Sequence, residues 1–179
     1  MTKVIAIIGR SGSGKTVTIV NLISHFSKQG LKVATIKHVH HPNFSIDMEG
    51  KDSWRHSHAG AKTVAIIAPK ETVLIRRKNR TTINLKLQNI LDLFKGDKLD
   101  LIFLEGFHSL IAKNYDIPKI ITAKNITELR SLVKNTAPPI LAVTGLVSRK
   151  KLQPKNIDFP IIDTSKESTK LIQLIEPWL

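Results

Sequence analysis

Gly9-Arg-Ser-Gly-Ser-Gly-Lys-Thr16 is the stretch that decides how this chain folds. It fits the phosphate-loop (Walker A) pattern G-x-x-x-x-G-K-[ST] at every fixed position. Average residue usage would produce such a match in a chain of this length on the order of one time in a hundred. The flanks narrow the reading further. Lys3-Val-Ile-Ala-Ile-Ile8 is a short apolar run suited to a buried strand, and Ile19, Leu22, Ile23 and Phe26 recur at helical spacing. The local order is therefore strand, glycine loop, helix. In that order the backbone N–H groups and the helix start face an anion. Glycines allow the close approach that a Cβ would block. Lys15 is expected at the mouth of the loop, exposed and reaching for terminal phosphates, with the Thr16 hydroxyl as a ligand for Mg²⁺. The nucleotide-binding candidates are Gly9, Arg10, Ser11, Gly12, Ser13, Gly14, Lys15, Thr16 and Val17.

Working outward, apolar runs alternate with helical periodicity. Expected strands lie at Lys3–Ile8, Lys32–Lys37, Leu101–Leu104, Lys119–Ala123 and Ile140–Thr144, with a short last one at Ile161–Ile162. Expected helices lie at Lys15–Gln29, Lys51–Ala59, around Ile83–Phe94, at Ile126–Lys134 and at Lys166–Leu179. Thr63–Ala68 and Thr72–Arg77 flank Pro69-Lys70 and read as a β-hairpin. Continuous apolar strands between helices imply an α/β fold: a mostly parallel sheet with helices on both faces, in one domain over residues 1–179. Ligands of such sheets sit at the carboxyl ends of the strands. That rule places Gly9–Thr16, His38–Gly50 and Glu105–His108 on one rim.

Within Asp100-Leu-Ile-Phe-Leu-Glu105-Gly106 two acids compete for the role of second metal-site group. Glu105 closes the strand on the rim that carries the loop and is the catalytic and metal candidate. Asp100 opens the strand on the far rim and reads as a turn residue. Asp47, in the segment after the second strand, reads equally as a metal-water or positioning group and as a turn aspartate. Asp52 reads as a cap of the helix that follows. Five of seven histidines fall between His38 and His58. They lack the spacing of a closed metal site, and phosphate or substrate contact is the stronger reading. Lys37 and Arg55 stand where anionic groups would be met.

The 179 residues include 28 Lys+Arg against 14 Asp+Glu, a formal charge of +14. That balance favours anionic partners, or is plain lysine richness. The one local cluster, Arg76-Arg77-Lys78-Asn79-Arg80, has no interleaved aromatics, so nucleic-acid binding ranks low. There are no cysteines, which excludes disulfides and thiolate metal sites. No apolar run approaches the ~20 residues of a membrane span. No secretory leader is visible, so a cytoplasmic location is expected.

Four stretches together resemble the molybdopterin-guanine dinucleotide biosynthesis adapter (MobB) family of P-loop NTPases. They are the glycine loop; Ile36-Lys-His-Val-His-His41; Ile46-Asp-Met-Glu-Gly-Lys-Asp-Ser-Trp-Arg55 with Ala59-Gly60-Ala61; and Asp100–Phe107. The match in order and spacing covers roughly the first 110 residues. The resemblance implies a GTP-binding protein, with Mg²⁺ and weak GTPase activity, that assists the guanylyltransferase MobA in attaching GMP to molybdopterin. It implies a homodimer. It carries Lys15, Glu105 and Asp47 over as catalytic residues, and Thr16, Glu105 and Asp47 as the metal set. Lys37, His38, His41, Lys51, Asp52 and Arg55 become substrate or regulatory candidates. The chain departs from the resemblance at Ala142-Val-Thr-Gly145, where relatives often carry Ala-x-x-Ser/Thr-Asp. Two other classes fit the loop or the charge: a small-molecule kinase with Arg76–Arg80 as a lid, and a basic nucleic-acid-binding protein. No arginine finger is assured in cis, and Arg10 or a partner is the candidate source.

Overall fold

In the computed structural model Lys3–Ile8 is strand β1, and its last four residues are buried. The structure describes residues 2–41, 43–76, 86–150, 154 and 157–179. Helix α1, Lys15–Lys28, follows the glycine loop. It ends at Gln29, with Gly30 at φ +88°. Gly30 N–H donates to the Ser27 carbonyl and Leu31 N–H to that of Phe26. This is the paired closure that a left-handed glycine permits after a helix. Strands β2 (Val33–Lys37), β5 (Leu101–Glu105), β6 (Lys119–Thr122) and β7 (Ile140–Thr144) complete a five-stranded sheet with β1. Its order is β2-β5-β1-β6-β7, and every pairing is parallel. Lys3 pairs with Leu101, and Ala6 with Lys119. The last expected strand reduces to a single bridge, Val143 to Ile161.

Both faces of the sheet are covered, as the uninterrupted apolar strands require. Ile5, Ile7, Leu101, Phe103, Ile120 and Ala142 pack in one cluster with Ile19, Leu22 and Phe26 of α1. Leu171, Ile172 and Ile175 of helix α6 (Ser168–Ile175) join the same cluster. The alternate residues Ala6, Ile8, Ile102, Leu104, Ile121 and Val143 are also buried. Strand side chains alternate between faces, so this second set fills the other layer. Helix α5, Ile126–Lys134, packs beside β6. Its start is capped by Asn125, whose side-chain oxygen accepts from Glu128 N–H at 2.9 Å. Short helices α3 (Leu87–Leu91) and α4 (His108–Ile111) lie on the connections; sequence periodicity does not reveal α4.

Asp100 plays the part assigned to a strand-entry residue. Its carboxylate accepts from Lys32 N–H at 2.7 Å and its carbonyl from Lys3 N–H at 2.9 Å. At the same amino-terminal rim Lys119 is fully buried in β6. Its ammonium donates to the carbonyls of Asn114, Ile117 and Pro138. Burial lowers its pKa, and Asp116 partly opposes that shift.

Residues 1–38 and 86–179 form one unit; residues 39–85 form a second. The second unit holds helix α2, Asp52–His58, and the antiparallel hairpin β3 (Thr63–Ala68) and β4 (Glu71–Arg76). The hairpin turns at Pro69-Lys70, as expected, with Ala68 opposite Glu71. The Arg77–Arg80 part of the basic cluster, and residues 81–85 of the helical run before Phe94, lie outside the described residues.

Phe26 is fully buried, 6.4 Å between ring centroids from Phe103. Truncation in such a core loses the transfer energy of the ring and leaves a cavity. Phe26→Ala is expected to lower the free energy of unfolding by about 3–5 kcal/mol, read from the urea midpoint.

Candidate functional site

The glycine loop leaves β1 and enters α1 at the carboxyl-terminal rim of the sheet. Its turns are ones that L side chains rarely make: φ is +70° at Gly12 and +106° at Gly14. Gly14 is the N-cap of α1 and brings no side-chain acceptor to the first-turn N–H groups, and the first turn holds no acidic residue. Those donors are thus left for an external anion, and the helix dipole favours negative charge there.

Close packing fixes the loop from three sides. A Cβ on Gly9 would meet the Thr122 hydroxyl at 2.2 Å and its carbonyl at 2.3 Å. Ser13, fully buried, shares a 2.6 Å hydrogen bond with the Thr122 hydroxyl and donates to the Arg10 carbonyl at 2.8 Å. Thr18 and Thr144 pair at 3.0 Å just beneath. Gly145, at φ +92°, lies so close that a Cβ there would stand 2.1 Å from the Ser13 carbonyl. Leu146 N–H donates to that same carbonyl at 3.3 Å. The glycine in Ala142-Val-Thr-Gly145 therefore has a steric reason. Larger side chains at this point would drive the loop out of place.

Lys15 differs from the sequence expectation. It is half-buried, and its ammonium folds onto the loop, donating to the carbonyls of Gly9 at 2.9 Å and Arg10 at 2.8 Å. Burial lowers its pKa; Glu105 and Glu128 oppose the shift, while Lys37 and Lys124 add to it. This mixture of charges maps the site. Glu105, 9% exposed, ends β5 next to β1. It accepts from the Thr16 hydroxyl at 3.4 Å and stands 3.3 Å from the Lys37 ammonium. The Lys37 side chain is 57% exposed. A pair so open to water contributes about 1 kcal/mol or less. Its consequence lies in charge placement more than in stability. A hydroxyl and a carboxylate side by side are hard oxygen donors of the kind Mg²⁺ takes, alongside phosphate and water.

Gly106 and Phe107 follow Glu105 with φ of +90° and +53°. That tight turn lets the Phe107 ring stack on His38, with centroids 4.9 Å apart and planes at 18°. His38 N–H donates to the Glu105 carbonyl at 3.0 Å. Lys15, Thr16, Lys37, His38 and Glu105 are thus brought together, with exposed Arg10 on the loop and exposed Val17 on the first turn of α1.

His41, Asp47, Lys51, Asp52 and Arg55 belong to the second unit. There the Asp47 carboxylate accepts from Ser53 at 2.8 Å. Lys51 is the N-cap of α2, and Asp52 is its first residue. The aspartate thus favours the helix start by charge, without a side-chain cap bond. Arg55 N–H donates to the Lys51 carbonyl, and His41 is exposed. Trp54 and His58 stack at 3.6 Å, one helical turn apart. Among the described residues no group of three or more His, Asp or Glu side chains is placed to hold a metal ion. No helix among them is long and apolar enough to cross a membrane.

Sequence reasoning misses Thr122, Thr144, Lys124 and Glu128, and it names Gly145 only as a departure from the resemblance, without its steric role. Each reaches the loop region from more than a hundred residues away, Glu128 from the first turn of α5 and the others from the ends of β6 and β7. Only the Asn125-x-x-Glu128 capping spacing and the glycine after β7 gave a local signal.

Residues 4–145 match the family model described as MobB, Molybdopterin guanine dinucleotide synthesis protein B. The Haemophilus influenzae molybdopterin-guanine dinucleotide biosynthesis adapter protein is 32% identical over 175 residues, covering 98% of this chain and 88% of that protein. The Escherichia coli protein of the same name is 28% identical over 179 residues, covering 100% and 94%. Among solved structures, Bacillus subtilis MobB aligns over 99% of this chain and 98% of its own at a TM-score of 0.76 and 22% identity. A MobB homolog from Bacillus stearothermophilus aligns over 97% and 96% at 0.69 and 18%. At those identities the structures speak for the shared fold.

Gly145→Ala combines a left-handed φ with a 2.1 Å collision against the Ser13 carbonyl. It is expected to cost about 1–3 kcal/mol in thermal or urea unfolding. Gly30→Ala, also at positive φ but with nothing within 4 Å of its Cβ, should cost less and leave the loop unmoved.

Proposed function

The chain belongs to the MobB family of molybdopterin guanine dinucleotide synthesis proteins, and on that premise we propose that it works by binding GTP with Mg²⁺. It is an adapter in molybdopterin guanine dinucleotide biosynthesis. The observation that carries the nucleotide reading is the loop itself. First-turn amides of α1 stand without a side-chain cap, with Lys15 beside them and the Thr16 hydroxyl facing the Glu105 carboxylate.

In this reading the loop amides and Lys15 take the phosphates. Thr16 and Glu105 would hold Mg²⁺, directly or through water. The cation, when bound, neutralises phosphate charge and polarises the terminal phosphoryl group. Lys15 leaves the Gly9 and Arg10 carbonyls to meet the ligand. Its lowered pKa comes first from burial, and a polyphosphate beside it would favour the charged form. Guanine preference rests on family membership. Hydrolysis is slow, because no arginine finger is assured in cis; such a finger adds roughly 10³–10⁵ in rate, and Arg10 or a partner is the candidate source. The partner is a MobA-like guanylyltransferase, with molybdopterin as the acceptor it handles and a homodimer as the working form. Lys37 and His38, on the rim beside Glu105, are the groups for an adjoining anionic ligand; within the second unit, His41, Lys51, Asp52 and Arg55 are candidates in their own right.

Fluorescence titration with labelled GTP, and competition by ATP, tests this reading. Wild-type protein should bind GTP with Mg²⁺, and GTP should compete better than ATP. Lys15→Ala should abolish measurable binding while circular dichroism stays native, since the half-buried side chain bonds only loop carbonyls and lies outside the hydrophobic core. If neither nucleotide binds with Mg²⁺, the reading is wrong.

A further inference from the structure

Glu128 is a carboxylate in an unusual place. It is 8% exposed, at the third position of α5, three residues after the Asn125 cap. An acid at that position ordinarily reaches back to the N–H of its own cap residue. Here it reaches elsewhere. One oxygen accepts from the backbone N–H of Arg10 in the glycine loop at 3.3 Å, and the other from Lys124 N–H at 3.1 Å. Lys124 follows β6 and is exposed. Its side chain lies across the crown of the loop. A Cβ placed on Gly12 would stand 3.4 Å from its Cε and 3.6 Å from its ammonium nitrogen.

A buried carboxylate is costly unless its oxygens are satisfied. Beside a loop that collects anions it would also repel the ligand. Helix capping does not account for it, since its oxygens accept from the N–H groups of Arg10 and Lys124, and neither is the cap residue Asn125. The two bonds it makes have one geometric effect. They tie the segment after β6 to the first limb of the glycine loop, 118 positions away in the chain. Two oxygens are needed for two N–H groups. An amide offers one oxygen and turns a donor toward the second N–H. The Lys15 ammonium lies near enough for the charge of the clamp to favour its protonated form.

We propose that Glu128 is a positioning residue for the nucleotide loop: it clamps Arg10 to Lys124 through their backbone N–H groups and so sets the Lys124 ammonium over Gly12 as a second cation for the polyphosphate. The proposal rests on the nucleotide reading above and extends it to groups outside the loop motif.

The test compares wild-type protein with Glu128→Gln, Glu128→Ala and Lys124→Ala. Amide hydrogen exchange at residues 10 and 124 without nucleotide reads the clamp; titration with Mg²⁺–GTP at low and high salt reads its use. Exchange at both amides should speed up in both Glu128 variants, more in Glu128→Ala. Affinity should fall about tenfold in Glu128→Ala and about threefold in Glu128→Gln, as expected for charge-assisted bonds lost wholly or in part. Lys124→Ala should keep the exchange pattern of the wild type yet bind more weakly, with a flatter salt dependence. A Glu128 residue that merely stabilised α5 would change the unfolding temperature in proportion and leave Lys124→Ala without effect. Should Glu128→Ala fail to fold, Glu128→Gln carries the comparison. Wild-type exchange rates and wild-type affinity in the foldable Glu128 variants overturn the proposal. If the wild type binds neither GTP nor ATP, the nucleotide reading falls, and unchanged exchange at residues 10 and 124 would then overturn the clamp separately.

Discussion

The constraint on which everything else depends is clearance: a length of bare backbone must stand at the start of α1 with nothing of its own in the way. Gly9 lies against Thr122 and Gly14 against Gly145: a methyl group would stand 2.2 Å from the Thr122 hydroxyl in the first case and 3.1 Å from the Gly145 Cα in the second, both inside ordinary contact distance. Removing side chains from the loop removes the contacts that usually hold a loop still. Its neighbours supply them. Ser13 bonds Thr122, Thr18 bonds Thr144, and Leu146 N–H bonds the Ser13 carbonyl. The loop is rigid by virtue of β6 and β7, and an order of β2-β5-β1-β6-β7 is what delivers those two strand ends to it.

Charge is layered on that frame. Lys15, Lys37 and Lys124 stand around the loop, with Glu105 and Glu128 between them. The two acids do different work. Glu105 turns toward Thr16 and Lys37, where a divalent cation would find oxygen donors. Glu128 spends both oxygens on backbone donors and faces no ligand. Similar residues at similar burial thus divide into a metal-facing group and an internal brace. Hydrogen-bond geometry separates them, as burial alone does not.

Much of the fold was legible because its signals are local. Apolar runs marked β1, β5, β6 and β7 nearly to the residue, and Pro69-Lys70 marked the hairpin turn. Gly30 marked the end of α1, where a left-handed residue is needed. The loop motif placed Lys15 and Thr16, and strand polarity chose Glu105 over Asp100. The illegible part is the set of groups that cross the sheet to reach the loop. Thr122 and Thr144 read in sequence as the ordinary ends of apolar strands, and Gly145 only as a departure from the resemblance. Their roles exist only once parallel pairing brings β6 and β7 beside β1. The conformation of Lys15 was illegible for a related reason: the motif describes a lysine meeting phosphate, and loop carbonyls compete for the same ammonium.

Strand β1 sits at the centre of the sheet, yet the residue that pairs with Lys3 is Leu101. During synthesis the most apolar segment of the amino terminus must therefore wait for its partner to leave the ribosome. At the usual pace of translation that delay is roughly 5–20 seconds. For that interval Val4 to Ile8 form an unpaired sticky segment, and β2 cannot shield it, because β2 too pairs through β5. Production of this protein in quantity should thus depend on chaperone capacity and on elongation speed through the first hundred codons more than on the equilibrium strength of its finished core.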